Sequence, residues 1–390
     1  MKTNITLVLF FIVLSITAEV RYVSKTGSST APYTSWQTAC DSLQKCFDYC
    51  NNGDTVFVDR GIYRETILLD NRVLTIIGVD TDECIIDASG IFGSPYIRFL
   101  FSQKGGEVKL KNITLKRKMG FLDPPSFIFD NLGGILEMQE CILDSAITAL
   151  QLRGDSKVDR CVFRNVSGAV SMSNNCNFSI TNSLISMKMW GYAFPAIINS
   201  DLTGSFQINN NIVWVNGSDG YYGINLNTSE GISIKNNLIY RFKTGIFANA
   251  VGDFPSPIEI VNNSIIYLND TAGTGILTGD IPGPIVIKNN IIKGFTTGVE
   301  FQHLRIYTDY NLFNDVTRVT NMPPIGEHNI VADPMFNKDT TFSIDAIDNF
   351  RLQKFSPAID AGDPSILDVD GSRSDIGMFG GPNGISYEYQ

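Results

Sequence analysis

Side chains able to move protons or hold cations recur at related positions in the second half of the chain. After the pairs Gly223-Ile224, Gly245-Ile246, Gly275-Ile276 and Gly298-Val299, alternate residues of an extended segment share one side. That places Asn225, Asn227, Phe247, Asn249, Leu277, Glu300 and Gln302 together. Segments leaving this side carry Asp201, Glu230, Asp253, Asp280, His303 and Arg305, and Lys243 and Lys293 are expected at corresponding turns just before it. Two chemistries would use such a row. Elimination removes the proton α to a uronate carboxylate that Arg or Ca²⁺ has neutralised, with Lys, Arg or His as base. Lys243 or Lys293 would be that base, and Asp253, Asp280 or Glu300 would hold the cation. Hydrolysis needs two carboxyls, about 5–5.5 Å apart for retention and about 6.5–9.5 Å apart for inversion. Taken singly, each of these residues also reads as a solvated turn residue.

Other residues offer binding rather than bond breaking. Trp190 and Tyr192, then Trp214, Tyr221 and Tyr222, are expected at similar phase in neighbouring segments, where exposed rings stack on sugar faces. Such rings equally fill wide cores. Asp363, Asp368, Asp370 and Asp375 in the tail supply hard oxygens that suit Ca²⁺, although no Glu closes the loop as in an EF-hand, and Asp also caps turns unaided. The histidines are His303 and His328, and no Gly-x-Ser-x-Gly accompanies them.

The element that must position these residues is a repeat. Ile208-Asn209-Asn210-Asn211-Ile212, Ile234-Lys235-Asn236-Asn237-Leu238, Ile260-Val261-Asn262-Asn263-Ser264 and Ile287-Lys288-Asn289-Asn290-Ile291 share one pattern. Aligned on the first Asn, weaker copies extend the anchors to 112, 140, 160, 182, 210, 236, 262, 289 and 310, with spacings of 28, 20, 22, 28, 26, 26, 27 and 21. Short alternating strands between Gly and Asn turns at this period predict an all-β, right-handed parallel β-helix of about eleven coils. Coils stack at about 4.8 Å, so equivalent residues become vertical neighbours. Buried Asn at the repeated turn is expected to form a hydrogen-bonded ladder. Cys141 and Cys161 then sit in identical places one coil apart, as a disulfide or as stacked thiols.

The ends need covering, because an open solenoid exposes sheet edges. Ser35 is expected to cap a helix from Trp36 to about Cys50 that buries Ala39, Leu43, Cys46 and Cys50. From about Ala332 the repeat lapses into loops rich in Asp, Pro and Gly, which predicts an irregular C-terminal cap over 332–390 of the same domain. Lys2 followed by the apolar run Leu7–Ile16 reads as a secretory leader over residues 1–18, leaving a secreted chain without a membrane span. Seven cysteines are odd for an exported protein, so at least one is unpaired or bonded to another chain. A net charge of −10 disfavours nucleic acid as a partner, and 43% hydrophobic residues exclude a wholly disordered chain. Sequons lie at Asn112, Asn165, Asn177, Asn216, Asn227, Asn262 and Asn269, with Asn112 and Asn262 expected inside the ladder.

Gly53-Asp54-Thr55-Val56 and Gly61-Ile62-Tyr63-Arg64-Glu65, followed by the Asn-Asn coils, resemble the pectin lyase-like superfamily. The tail Ser356-Pro357-Ala358-Ile359-Asp360-Ala361-Gly362-Asp363-Pro364, with Asp368-Val369-Asp370-Gly371-Ser372-Arg373 and Asp375-Ile376-Gly377, resembles the terminal segment of choice-of-anchor Q proteins. Together they span nearly the whole chain after the leader. The resemblance implies a secreted protein acting on a polysaccharide, as lyase, hydrolase or esterase, or a non-catalytic surface protein, and a monomer is expected. No Asp-Asp pair, Gly-His-Gly, Arg-x-Pro-x-x-Arg or Gln-Asp-Thr-Leu is present, so no catalytic set carries over. The expectation is binding and cleavage of an acidic polysaccharide, elimination ahead of hydrolysis, with glycan or protein adhesion as the rival.

Overall fold

The computed structural model describes residues 18–89, 99–117, 127–173, 176–188, 194–199, 204–228, 230–250, 257–268, 273–279, 284–302, 306–321, 326–338 and 344–389. Nearly all the expected leader lies outside them, and no described helix is long and apolar enough to cross a membrane.

The chain winds as a right-handed parallel β-helix. Among the described residues, twelve strands form the first sheet, from Val20–Val23 through Phe206–Asn209, Ile232–Lys235, Ile258–Val261 and Ile285–Lys288 to Ile306–Asp309. After a tight turn each coil continues into a second sheet, exemplified by Ile212–Asn216, Leu238–Tyr240, Ser264–Ile266 and Ile291–Lys293. A further bend leads to a third, exemplified by Phe99–Lys104, Phe127–Leu132, Gly220–Thr228, Phe242–Ala250, Thr274–Thr278 and Thr297–Glu300. Two eleven-residue strands, Ile142–Leu152 and Val162–Met172, run through the bend and join the second and third sheets. Pairing between these strands is parallel, with a register shift between Arg164 and Val166, and Ile208, Ile234, Ile260 and Ile287 pile up inside in register, each 0% exposed. Phe101 and Phe129 stack within the same core at 4.8 Å.

The Asn pair does two jobs, which corrects the expected ladder. The first residue of each pair makes the corner: Asn112, Glu140, Arg160, Asn182, Asn210, Asn236, Asn262, Asn289 and Tyr310 all have φ between 50° and 58°. Asn tolerates this left-handed region better than most side chains, which explains its prevalence there. The second residue forms the ladder. Asn237 donates both its backbone N–H (3.0 Å) and Nδ2 (2.9 Å) to Oδ1 of Asn263, and Asn263 repeats this to Asn290 at 2.9 and 3.0 Å. Asn211, Asn290, Asn311 and Asn329 continue the row. Upstream it passes through Ser183, then Cys161 and Cys141, which are free, buried thiols. Accordingly Asn112, at a corner, is half-buried, while Asn262 is buried for a different reason.

That reason is the C-terminal segment. It is irregular, as expected, but lies along the side of the coils. Asn236 Nδ2 donates to the carbonyls of Met378 and Gly380, Asn262 Nδ2 to that of Asp375, and Asn289 Oδ1 accepts from the Asp363 N–H. Phe336, Phe350, Leu352, Ile376, Met378 and Phe379 pack on Trp214, Tyr240, Ile266 and Ile291, the outward apolar residues of the second sheet. The corner asparagines thus face outward as clamps, and the ladder asparagines face inward.

At the other end the helix is shorter than expected, Leu43–Tyr49 with Ser42 as N-cap. Ser35 caps only a single turn, accepting from the Thr38 N–H at 3.2 Å. Extension is blocked because Cys40 pairs with Val23 as a strand neighbour. Glu65 completes the cap, accepting from the N–H groups of Leu43 and Gln44. Ala39, Leu43, Cys46 and Cys50 are buried as expected.

Candidate functional site

The three outer faces differ in what they offer. The second sheet is covered by the C-terminal segment over the coils from Ile212 to Leu312. The first sheet presents an ion-paired surface, with Lys109 bonded to both Glu107 and Glu137. The third sheet faces out with polar and aromatic residues in a single row. Register places Ser102, Asp130, Gln151, Ser171, Ile198, Asn225, Phe247, Leu277 and Glu300 side by side, one per coil. The neighbouring inward row is Phe101, Phe129, Leu150, Val170, Ile197, Ile224, Ile246, Ile276 and Val299, all of them buried. Alternation along the strand therefore sets which side chains face out.

Within this row the densest cluster surrounds Asn225. Tyr221 and Tyr222 meet edge to face at 4.7 Å, and Tyr222 lies 6.1 Å from Phe247. Tyr221 is 51% exposed. Asn249 Nδ2 donates to Asn227 Oδ1 at 3.1 Å, whereas Oδ1 of Asn225 and of Asn249 accept no hydrogen bond from the protein. A buried amide oxygen left without a donor is costly, so these atoms call for a bound water. Apolar rings beside amide acceptors match the mixed surface of a sugar ring. Asn225, Asn227, Phe247, Asn249, Leu277 and Glu300 thus share one face, as the alignment from sequence expected.

The other expected site residues fare differently. Glu300 is half-buried on this row and accepts from Thr274 Oγ1 at 3.1 Å. Lys243 is exposed in the third-sheet strand Phe242–Ala250, next to Thr244 of the outward side. Lys293 does not correspond to it. It lies on the second sheet, 5% exposed, with Nζ bonded to Asn314 (2.5 Å) and Asp315 (3.0 Å). The two were matched by distance from their Gly-aliphatic pairs, but connections between the second and third sheets differ in length from coil to coil. Trp214 also sits on the second sheet, 6% exposed beneath the C-terminal segment, and so offers no ring face to solvent. Trp190, Tyr192, Asp201, Asp253, Asp280, His303 and Arg305 lie outside the described residues.

The tail aspartates serve separate turns. Asp363 accepts from Lys288 at 2.9 Å and from Ser365, and although burial works to raise its carboxyl, these bonds hold it down to about 2. Asp368 accepts from the N–H groups of Asp375 and Gly381, with burial raising it. Asp370 caps its own turn through Ser372. Asp375 accepts from the Asp360 N–H and from Tyr389 Oη at 2.8 Å, and burial pushes it up to about 6. Among the described residues, no three His, Cys, Asp or Glu side chains converge where a metal would sit. His328 bonds Asp309 at 2.9 Å and stacks on Tyr310, a structural pairing next to the last ladder residue.

Ser102, Asp130 and Arg153 escaped the sequence reading. Asp130 is 8% exposed, and burial raises its carboxyl against the pull of Arg153, whose Nη1 lies 3.6 Å away. The sequence signal that would have found them is a second repeat. Gln103-Lys104-Gly105-Gly106, Asn131-Leu132-Gly133-Gly134 and Leu152-Arg153-Gly154 align the third sheet as the Asn pairs align the first.

Among solved structures the chain is similar to pectate lyase Pel9A, with 16% identity over 94% of this chain and 97% of that chain and a TM-score of 0.54. A pectin methylesterase crystallised with a hexasaccharide aligns over 81% of this chain and 94% of that one, at 10% identity and a TM-score of 0.36. No family model matches the sequence, and no curated protein does. The fold is thus a parallel β-helix, as in that pectate lyase.

Proposed function

We propose that the outer face of the third sheet binds an acidic polysaccharide, and that the protein is a secreted enzyme cleaving it by elimination. The observation that carries this reading is the cluster of Tyr221, Tyr222 and Phe247 beside the unpartnered Oδ1 atoms of Asn225 and Asn249. Charge supports an acidic ligand. Although the chain carries −10 overall, Lys104, Arg153, Lys243 and Arg318 lie on or beside this face. Local cations of this kind raise the concentration of an anionic polymer at the groove.

Among the described residues, spacing favours elimination over hydrolysis. Along the described row Asp130 and Glu300 stand seven coils apart, about 34 Å at ~4.8 Å per coil, far beyond the reach of a two-carboxyl mechanism. Elimination needs a single base. Lys243 would be the group that takes the proton α to the uronate carboxylate. The carbon–hydrogen electron pair forms a carbon–carbon double bond, and the bond from the β carbon to the glycosidic oxygen breaks with its pair going to that oxygen, which takes up a proton from water. Asp253, Asp280, His303 and Arg305, outside the described residues, remain candidates from the sequence. The leader and the tail's likeness to choice-of-anchor Q segments fit a protein working outside the cell.

The test is incubation with a panel of uronate polysaccharides, with and without chelator. New ultraviolet absorbance from unsaturated ends is expected, and Lys243→Ala should lower the rate by at least about 100-fold, far more than it weakens binding. Reducing ends without that absorbance would mean hydrolysis. Binding without any product would leave glycan adhesion as the function.

A further inference from the structure

We infer that the outer face of the first sheet carries, at its N-terminal end, a second carbohydrate site that takes a neutral glycan. The site uses a different face and a different ligand from the third-sheet reading, and it stands whether or not uronate binds there.

Alternation along the strands builds the surface. In Val20–Val23 and Thr55–Val58, Arg21, Val23, Val56 and Val58 point inward and are buried, which turns Tyr22 and Phe57 outward. Register then sets Tyr22, Phe57, Ile77, Lys111 and Gln139 side by side, one per coil. Tyr22 and Phe57 stack at 6.0 Å, and Trp36, 38% exposed, meets Tyr22 edge to face at 4.6 Å. Leu43, Cys46 and Phe47 of the capping helix already close the core at this end, and the three rings lie outside it. The row runs on into a surface cavity of about 240 Å³ whose lining includes Thr75, Ile77, Lys109, Lys111, Glu137 and Gln139. Each of these side chains is half-buried or exposed, so a ligand reaches them from solvent.

Charge selects the ligand. Lys109 bonds Glu107 and Glu137 at 3.0 and 3.3 Å, and Lys111 reaches Glu140 at 3.4 Å. Arg160 bonds Asp159 at 2.6 Å, with Lys157 beside them. Four cations thus meet four carboxylates, and no surplus charge is left to draw a polyanion. The polar groups left over are neutral. Among the described residues, the Tyr22 and Thr75 hydroxyls, the Trp36 indole N–H and the Gln139 amide have no protein partner. Uncharged donors and acceptors beside aromatic and aliphatic surface match the hydroxyls and the C–H faces of a neutral sugar. From Tyr22 to Gln139 the row covers four coil steps, about 19 Å, so an oligosaccharide rather than a single ring fills it.

The experiment titrates the full chain with neutral gluco- and manno-oligosaccharides of increasing length by calorimetry, and in parallel with uronate oligosaccharides. At least one neutral series is expected to bind, with affinity rising until the row is spanned. Trp36→Ala and Gln139→Ala should each weaken it about three- to tenfold, the worth of one ring contact or one neutral hydrogen bond, and Trp36→Phe should lose less. Tyr222→Ala should leave neutral binding unchanged, and Trp36→Ala should leave uronate binding unchanged. No binding of either neutral series, or neutral binding that survives both Trp36→Ala and Gln139→Ala, overturns the site. Uronate binding lost in Trp36→Ala overturns the neutral assignment. If uronates fail to bind while neutral binding follows these variants, the third-sheet reading falls and this site stands. Trp36 and Gln139 lie outside the core, so both variants keep the fold, which circular dichroism checks.

Discussion

Replacing Asn263 by Ala should damage the protein far more than replacing Asn210 by Gly, although the two belong to the same sequence motif. Asn263 is 0% exposed and its side chain makes five hydrogen bonds: it accepts from the N–H and Nδ2 of Asn237 and donates to the carbonyls of Ile234 and Val261 and to Asn290 Oδ1. Asn237 Nδ2 keeps its bonds to Ile208 and Lys235 in the variant, and Asn290 Oδ1 keeps the Asn263 N–H. The Asn237 N–H loses its acceptor. One orphaned buried donor costs about 1–3 kcal/mol, and the four remaining lost bonds, whose partners keep other contacts, about 0.5 kcal/mol each, for a total of about 3–5 kcal/mol. Asn210 instead occupies a corner with φ 58°, which Gly adopts freely, so Asn210→Gly should stay within about 1 kcal/mol. Guanidinium unfolding followed by circular dichroism measures both. Because coils interact chiefly with their neighbours, hydrogen exchange at the Asn237 amide should also accelerate in the Asn263 variant before global unfolding. A ladder substitution costing under about 1 kcal/mol, or a corner substitution costing more than the ladder one, would refute the division of labour within the pair.

Three further outcomes follow from the same geometry. Asp375, raised to about 6 by burial, binds its proton more tightly folded than unfolded, so its contribution is complete below about pH 4 and is lost as pH rises through about 6. Asp375→Asn should therefore exceed the wild type by up to about 3 kcal/mol at pH 8 and match it near pH 4; a pH-independent difference would contradict this. Phe350, 0% exposed and 5.6 Å from both Tyr240 and Phe336, holds the C-terminal segment, so Phe350→Ala should cost about 3–5 kcal/mol and shift tryptophan emission to the red as Trp214 is uncovered. Unchanged emission would mean that the segment is held elsewhere. Asp54, 0% exposed, pairs with Arg21 at 2.8 Å and accepts two backbone N–H groups; Asp54→Ala strands the arginine, which is 2% exposed, and should cost about 3–5 kcal/mol in denaturant unfolding.

The architecture was legible because each coil repeats one local requirement, a corner in the left-handed region, and sequence writes that as Asn. Alignment on that residue found corners even where Glu140, Arg160 or Tyr310 replaces it. Roles within the corner were not legible, since two adjacent asparagines read alike until one faces in and the other out. Nor was the fate of Trp214, because what covers it comes from residues more than a hundred positions away. Lys293 was misplaced because connections between the second and third sheets vary in length, so counting backward from the third sheet does not hold phase. The helix was overextended because Cys40 is claimed by a strand partner that no local pattern announces. Asp130 was missed because its neighbours are aligned by glycines rather than by the asparagine motif.

The central claim is that the outer face of the third sheet engages a uronate polymer. Its most direct measurement is the affinity of such a polymer for the wild type, for Tyr222→Ala and Asn225→Ala on that face, and for Lys157→Ala on the first sheet. Loss of about tenfold or more in the two third-sheet variants, with Lys157→Ala unchanged, is the predicted result. Wild-type affinity in both third-sheet variants, or loss confined to Lys157→Ala, would contradict it.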